Sequence, residues 1–304
     1  MEITNNLPSN QAVSDFDLNV EKQEQKQKVK KVISYVLTYL LLTVAALLCL
    51  FPFLWMILTS FKTLSEYQDI VPSFFPKGFY YQNYINAFEY SNNLFSRTLL
   101  NSLFVGLTST FLSLILTVLA AYAFARMKFA GREFLFSCLL MTMMIPGELF
   151  TTTNFITTTS DLKWGDTLTI MIVPFLVSVY YIYLLRNAFK QIPETLYKAA
   201  KVDGCSDFKY LIKVMVPMTA PTIVSITILK LIGVWNSYMW PQLVNSPQWR
   251  LVSNWMAQCG IGSDGTDYPM KMAAAVIISI PLFVVFMLFR KYIMKGVSRS
   301  GIKG

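Results

Sequence analysis

The chain has 304 residues, of which 54% are hydrophobic and only 14% charged, against the roughly one quarter charged of an ordinary soluble domain. So large an apolar excess has to meet something other than water, which excludes a soluble globular protein and points to a bilayer. The formal net charge of +9 would suggest a nucleic-acid surface in a soluble chain, but here the distribution of the charges gives it another meaning.

Residues 1–20 are polar and turn-prone and are expected to be disordered; they lack the basic start and short apolar core of a cleavable signal peptide. Residues 21–31, EKQEQKQKVKK, read as a charged helix or an anchor against anionic lipid. Residues 1–31 are therefore expected to form a cytoplasmic, largely disordered basic tail ahead of a membrane domain over 32–304. No charge occurs between Lys31 and Lys62, or between Arg97 and Arg126, and a spanning helix needs roughly 20 apolar residues. Six spans are expected, at 33–60, 99–124, 134–156, 167–185, 218–240 and 271–293, the third interrupted by Glu148 and the fifth by Lys230. The connection 61–98, with Pro72, Pro76 and several aromatics, is expected to form a structured cap. An open sheet cannot satisfy its backbone in hydrocarbon, and the unbroken apolar runs do not alternate as barrel strands would. The fold class is all-α, a polytopic membrane protein with six transmembrane helices.

If the N-terminus is cytoplasmic, the segments on its side of the membrane carry nineteen Lys and Arg and those on the other side six, with Lys230 inside a span. The positive-inside rule then places both termini in the cytoplasm. The basic character follows from topology, and no nucleic-acid partner is required. Histidine is absent, and Cys49, Cys138, Cys205 and Cys259 lack metal-ligand spacing, so no metal site and no zinc or haem chemistry is expected. No phosphate-cradling Gly-x-x-x-x-Gly-Lys-Ser/Thr loop occurs either. The chain is expected to bind no cofactor and to catalyse nothing.

The informative segment is the loop between spans four and five, within 187–217. Pro193 suits the first turn of a helix and Glu194 its positive end. Leu196, Ala199 and Ala200 fall at helical spacing on one face, and Asp203-Gly204 ends the helix, glycine accepting the left-handed backbone of a C-terminal cap. Ser206 can cap a second helix, in which Phe208, Leu211, Ile212 and Met215 share a face, and Pro217 marks the start of span five. A short helix, a tight turn and a second helix project from the membrane as a docking surface. A hairpin packed only on its own bundle is the bland alternative.

This loop resembles the conserved cytoplasmic loop of binding-protein-dependent ABC importer permeases, whose pattern is Glu-Ala-Ala, three residues, Gly, nine residues, Ile, one residue, Leu, Pro. Here Ala199, Ala200, Gly204, Val214, Val216 and Pro217 stand at those spacings, with Lys198 at the position of the family's Glu and Glu194 one turn earlier. Other segments resemble the carbohydrate branch and its maltose-permease-like second subunit: Asn101-Ser102, AYAFARMKFAGRE (121–133), MMIPGELF (143–150), WNSYMWP (235–241), AAAVIISIP (273–281) and KGVSRSGIKG (295–304). The resemblance implies the ABC type I importer permease (MetI-like) fold and a sugar or oligosaccharide cargo. It also implies a heterodimer with a second homologous permease, two ABC ATPase subunits that hold ATP and Mg, an extracytoplasmic solute-binding protein, and a bacterial cell membrane location. Glu194, Lys198, Ala199, Ala200, Asp203, Gly204 and Pro217 would couple to the ATPase.

Glu148 and Lys230 lie inside spans, where an ionisable group faces the bundle interior or a watery cavity. They are expected to pair with each other or with the partner permease, or else to line the sugar path. Trp235, Asn236 and Tyr238 close span five with Trp240, either at the membrane interface or against the sugar. The competing classes are an ABC permease for a non-sugar solute, a secondary transporter, which would need more intramembrane charges, and a membrane-embedded enzyme, for which no catalytic cluster is found.

Overall fold

The computed structural model describes residues 10–300 apart from Pro72 and residues 263–264. The chain divides into two units, Met1–Leu58 and Thr59–Gly304. The first is the greater part of helix α1 (Asn10–Ser60), continuous because its residues 32–51 offer no glycine or proline to break it. Thr38 and Thr43 return their hydroxyls to the carbonyls of Ser34 and Tyr39, each at 2.8 Å, so the polar groups of this apolar stretch are satisfied within the helix. The expected disorder of residues 10–20 is corrected: they are helical. The same expectation for residues 1–9 lies outside the described residues.

In the second unit the cap at 61–81 is tightly bonded. A short helix α2 (Leu64–Tyr67) is capped by Thr63. The Lys62 ammonium donates to Ser73 O, and the Glu66 carboxylate accepts from Ser73 Oγ at 2.9 Å and Lys77 N at 2.8 Å. The long helix α3 (Gln82–Arg126) begins well before the expected start of span two. Its Asn83 amide holds the carbonyls of Ser60 and Lys62 at 2.9 and 2.7 Å.

The third, fourth and fifth spans are bent pairs. Helix α4 (Arg132–Thr142) meets a 3-10 turn (Gly147–Phe150), helix α5 (Thr151–Ile156) and a π-helical turn (Thr157–Asp161) at 86°. Helix α6 (Thr169–Ile172) with its 3-10 turn (Val173–Phe175) meets α7 (Val179–Lys190) at 47°. After α8 (Glu194–Val202), the segment built of α9 (Asp207–Tyr210), a π-helical turn (Leu211–Met215) and α10 (Val216–Met218) meets α11 (Ala220–Trp235) at 79°. Pro146, Pro174, Pro217 and Pro221 stand at these breaks, each removing a backbone donor and crowding the preceding turn. Helix α11 ends at Trp235, short of the expected limit of span five at residue 240. Helices α12 (Met239–Val244) and α13 (Val252–Gln258) and a two-stranded hairpin, β1 (Ile261–Gly262) with β2 (Gly265–Thr266), follow. The last element is α14 (Tyr268–Ser300), with Pro281 inside it.

The axis of this unit is α3, which packs against α7, α11, α13 and α14. Its inward face is built of small side chains, Ser102, Ser109, Thr110, Ser113, Thr117 and Ala121, all buried, which let neighbouring helices approach closely. Apolar clusters lie at both ends. One gathers Phe95, Trp235, Trp255, Met270 and Ala274; the other gathers Tyr122, Leu185, Phe189, Tyr210, Leu211, Met215 and Ile226 beneath α8.

Candidate coupling site and intramembrane cavity

The loop that carries α8 is bolted to the end of α3. The Arg126 guanidinium, in the last turn of α3, donates to Phe189 O at 3.1 Å and to Ile192 O, taking up carbonyls that the end of α7 leaves without helical partners. Arg186 on α7, buried, donates to Phe124 O at 3.1 Å and Glu133 Oε2 at 2.6 Å, and lies 3.8 Å over the Phe136 ring. The α7–α8 connection is thereby fixed in direction before α8 begins at Glu194.

Helix α8 has two unlike faces. On one, Tyr197 and Ala200 are half-buried and pack with Cys205 against the cluster around Tyr210, the rings of Tyr197 and Tyr210 meeting edge-on at 5.2 Å. On the other, Glu194, Lys198, Ala199, Asp203 and Gly204 are exposed, together with the apolar Leu196 (41%) and Val202 (88%). Ala199 and Ala200 thus part company: the first faces outward, while the second seats the helix. Glu194 and Lys198 approach to 3.9 Å one turn apart, an exposed contact of little stabilising value.

The helix ends as glycine dictates. Gly204 has φ +72°; Cys205 N donates to Ala200 O at 2.9 Å and Gly204 N to Lys201 O at 3.1 Å, the paired bonds of a left-handed glycine cap. Ser206 then caps α9, its Oγ accepting from Lys209 N at 3.3 Å. The face expected for the second helix divides in two. Leu211 and Met215 are buried, whereas Phe208 (67%) and Ile212 (47%) are exposed. The π-helical turn at Leu211–Met215 widens the helix here and separates the two pairs. Pro217 lies in α10, two residues before the bend, which falls at Thr219.

Between α8 and α9 stands a carboxylate that sequence reasoning missed. Asp207 Oδ1 accepts from Tyr197 Oη at 2.8 Å and Tyr122 Oη at 3.1 Å, and pairs with Lys201 Nζ at 3.0 Å. One oxygen therefore ties α8 to α9 and both to α3. Its hydrogen bond raises the Lys201 ammonium above its ordinary value and likewise raises the Tyr197 phenol.

Within the spans, the expected pairing of Glu148 with Lys230 is not formed. Glu148 is exposed on the 3-10 turn at the third-span bend, and neither residue enters an ion pair among the described residues. Lys230 is buried in α11 and donates to Phe175 O at 2.6 Å. Phe175 is the last residue before the break in the fourth span. Beside it lies a cavity of about 250 Å3 whose lining includes Val105, Phe175, Tyr181, Lys230, Ser237 and Trp240. Trp235 is buried in the cluster with Phe95 and Trp255. Asn236 is exposed at the end of α11, and Tyr238, 46% exposed, accepts Asn254 Nδ2 on its carbonyl at 2.9 Å. Trp240 is buried, donating Nε1 to Ile170 O at 3.1 Å. The Asn101-Ser102 pair clamps a distant segment: Asn101 Nδ2 donates to Gln248 O and Arg250 O at 2.9 and 3.0 Å, and Ser102 Oγ accepts from Val252 N at 2.7 Å. Among the described residues no group of His, Cys, Asp and Glu could hold a metal ion.

Residues 113–299 match the family model described as binding-protein-dependent transport system inner membrane component. The chain belongs to this family. The permease is 29% identical over 289 residues to the polygalacturonan/rhamnogalacturonan transport system permease protein YtcP of Bacillus subtilis (strain 168), covering 88% of its own length and 97% of that protein. It is 30% identical over 267 residues to the arabinooligosaccharides transport system permease protein AraQ of the same organism, at 85% and 92% coverage. With the trehalose transport system permease protein SugB of Mycobacterium tuberculosis (strain CDC 1551 / Oshkosh) it shares 30% over 259 residues, at 84% and 93%. Its fold is similar to that of a chain in the crystal structure of a bacterial ABC transporter involved in the import of the acidic polysaccharide alginate, with TM-score 0.74, 22% identity, and 86% and 96% of the two chains covered. The permease is a multi-pass inner membrane protein and a transport subunit, not itself catalytic. Its matched region includes the whole of the loop that carries α8, so the Asp207 junction lies inside the family domain.

Proposed function

We propose that the permease forms half of the pathway of an ATP-driven oligosaccharide importer and receives mechanical force from an ATPase subunit through α8. The observation that carries this reading is the two-faced helix: α8 is anchored by Tyr197, Ala200 and the Asp207 junction, yet leaves Leu196, Ala199, Val202 and Gly204 uncovered. A small, stiff, partly apolar protrusion suits a cleft in a partner. The three relatives named above are all permeases of carbohydrate transport systems, which supports a sugar cargo. On this reading both termini and α8 are cytoplasmic, in keeping with the excess of Lys and Arg on that side. A second homologous permease completes the pathway, and the exposed Glu148 offers it a contact. An extracytoplasmic binding protein delivers the sugar to the far face, and two ATPase subunits hold ATP and Mg.

The test uses the full transporter with Val202→Cys in a background whose four native cysteines are replaced by serine. A membrane-impermeant thiol reagent should label residue 202 in inside-out vesicles and not in intact cells, and an assembled ATPase should protect it. Labelling from outside the cell, or equal labelling with and without the ATPase, would overturn the reading.

A further inference from the structure

Three observations meet at Lys230. Its side chain sits in an apolar helix and the residue is only 8% exposed. Its ammonium donates to Phe175 O at 2.6 Å, the carbonyl at the end of the first half of the broken fourth span. And it lines the 250 Å3 cavity. An ammonium has three donors. The carbonyl end of a half-helix orients a cation, but it does not neutralise one, and a bare charge buried at membrane depth is expensive. Among the described residues no carboxylate pairs with it.

We propose that this cavity is a subsite for the carboxylate of an acidic sugar residue in transit, with Lys230 as the residue that binds it. The inference rests on the oligosaccharide reading and narrows it to uronate-bearing cargo. Irregular backbone is tolerated at membrane depth where it lines a cavity, and broken helices are where transporters gather polar groups around a substrate. The rest of the wall fits that task. Phe175, Tyr181 and Trp240 supply flat apolar surfaces and Ser237 a hydroxyl, the mixture of apolar lining and few polar groups typical of small-ligand sites. The volume lies below the roughly 300 Å3 at which pockets for drug-sized ligands begin, so it takes one sugar ring and reads a chain residue by residue.

The structural alternative is that Lys230 only caps the broken helix. Lys230→Gln separates the two, because glutamine keeps a donor for Phe175 O and removes the charge; Lys230→Arg keeps the charge. The complete importer in cells is offered labelled trigalacturonate, its methyl ester and a neutral arabinotriose. Comparing variant with wild type for each probe cancels the selectivity of the binding protein. The expected result is a rise in KM of about tenfold or more for trigalacturonate in Lys230→Gln, from the lost charge-assisted hydrogen bond, with no change for any neutral probe the importer accepts and little change in Lys230→Arg. Uptake of trigalacturonate unaffected by Lys230→Gln, or lowered equally with the neutral probes, would overturn the subsite. Wild-type uptake of arabinotriose alone would overturn the acidic cargo and leave the sugar reading standing, whereas uptake of none of the three would remove the sugar reading itself.

Discussion

Replacing Gly204 by alanine and by asparagine separates two reasons why the loop after α8 needs a glycine. The backbone there is left-handed, at φ +72°, a conformation that costs an ordinary L-residue about 1–2 kcal/mol and costs asparagine less, since asparagine also occurs at such caps. Within the chain a Cβ at this position would meet no atom within 4 Å, so neither substitution clashes with the permease itself. Folding stability should therefore order as glycine, then asparagine, then alanine. The alanine variant should lose a few degrees of melting temperature, at about 2–4 °C per kcal/mol for a domain of 150–250 residues. Transport should order differently if an ATPase closes over this surface: the larger asparagine side chain should impair sugar-dependent ATP hydrolysis at least as much as alanine does. The assay is the ratio of sugar imported to ATP hydrolysed in proteoliposomes, set beside thermal unfolding of the same preparations. Should transport simply follow stability, with asparagine close to wild type, the glycine serves only its own backbone, and Gly204 is not a contact.

Other consequences concern the same end of the molecule. Asp207→Ala leaves the Tyr122 hydroxyl without its acceptor and should destabilise by roughly 1–2 kcal/mol; more tellingly, ATP hydrolysis should continue while sugar import per ATP falls, whereas Asp207→Asn, which keeps an acceptor oxygen, should be milder. Arg186→Met removes the donor to Phe124 O and the cation over Phe136 and should lower stability by about 1–2 kcal/mol; Glu133→Gln should cost less in the same thermal-unfolding measurement. Lys201 has its pKa raised above 10.5 by the Asp207 hydrogen bond, so its contribution is complete below that pH and disappears only as pH rises through the folded value. Melting temperature should thus be sensitive to Lys201→Met at neutral pH, the difference between variant and wild type shrinking only as pH rises through the raised folded value.

What could be read from the sequence was local or statistical. The start of α8 at Pro193 and Glu194, its glycine stop and the Ser206 cap of α9 all depend on residues within one or two turns of each other, and all appear in the structure. The spans followed from hydropathy, and the charge-free run between Arg97 and Arg126 located the later part of α3 but not its first turns, which carry Glu89 and Arg97. The bends were legible in principle, since Pro146, Pro174, Pro217 and Pro221 mark each break, but hydropathy alone gives the extent of a span and not its direction. The face assigned to Phe208, Leu211, Ile212 and Met215 came from a 3.6-residue period, which a π-helical turn does not obey. The Asp207 junction and the Lys230–Phe175 bond join residues 85 and 55 positions apart, beyond any periodicity. A mid-helix lysine announced only that it needed company, and its company turned out to be a carbonyl rather than Glu148.

The length of α3 has a consequence for how the two ends of this unit are joined. Its 45 residues make a rod of about 67 Å at 1.5 Å per residue, with neither proline nor hinge along the way. One extremity is fastened at Asn83, the shaft at Asn101 and Ser102, and the other extremity at Tyr122 and Arg126. A strut clamped at three stations holds those points at fixed separations, which leaves any change of angle to its bent neighbours.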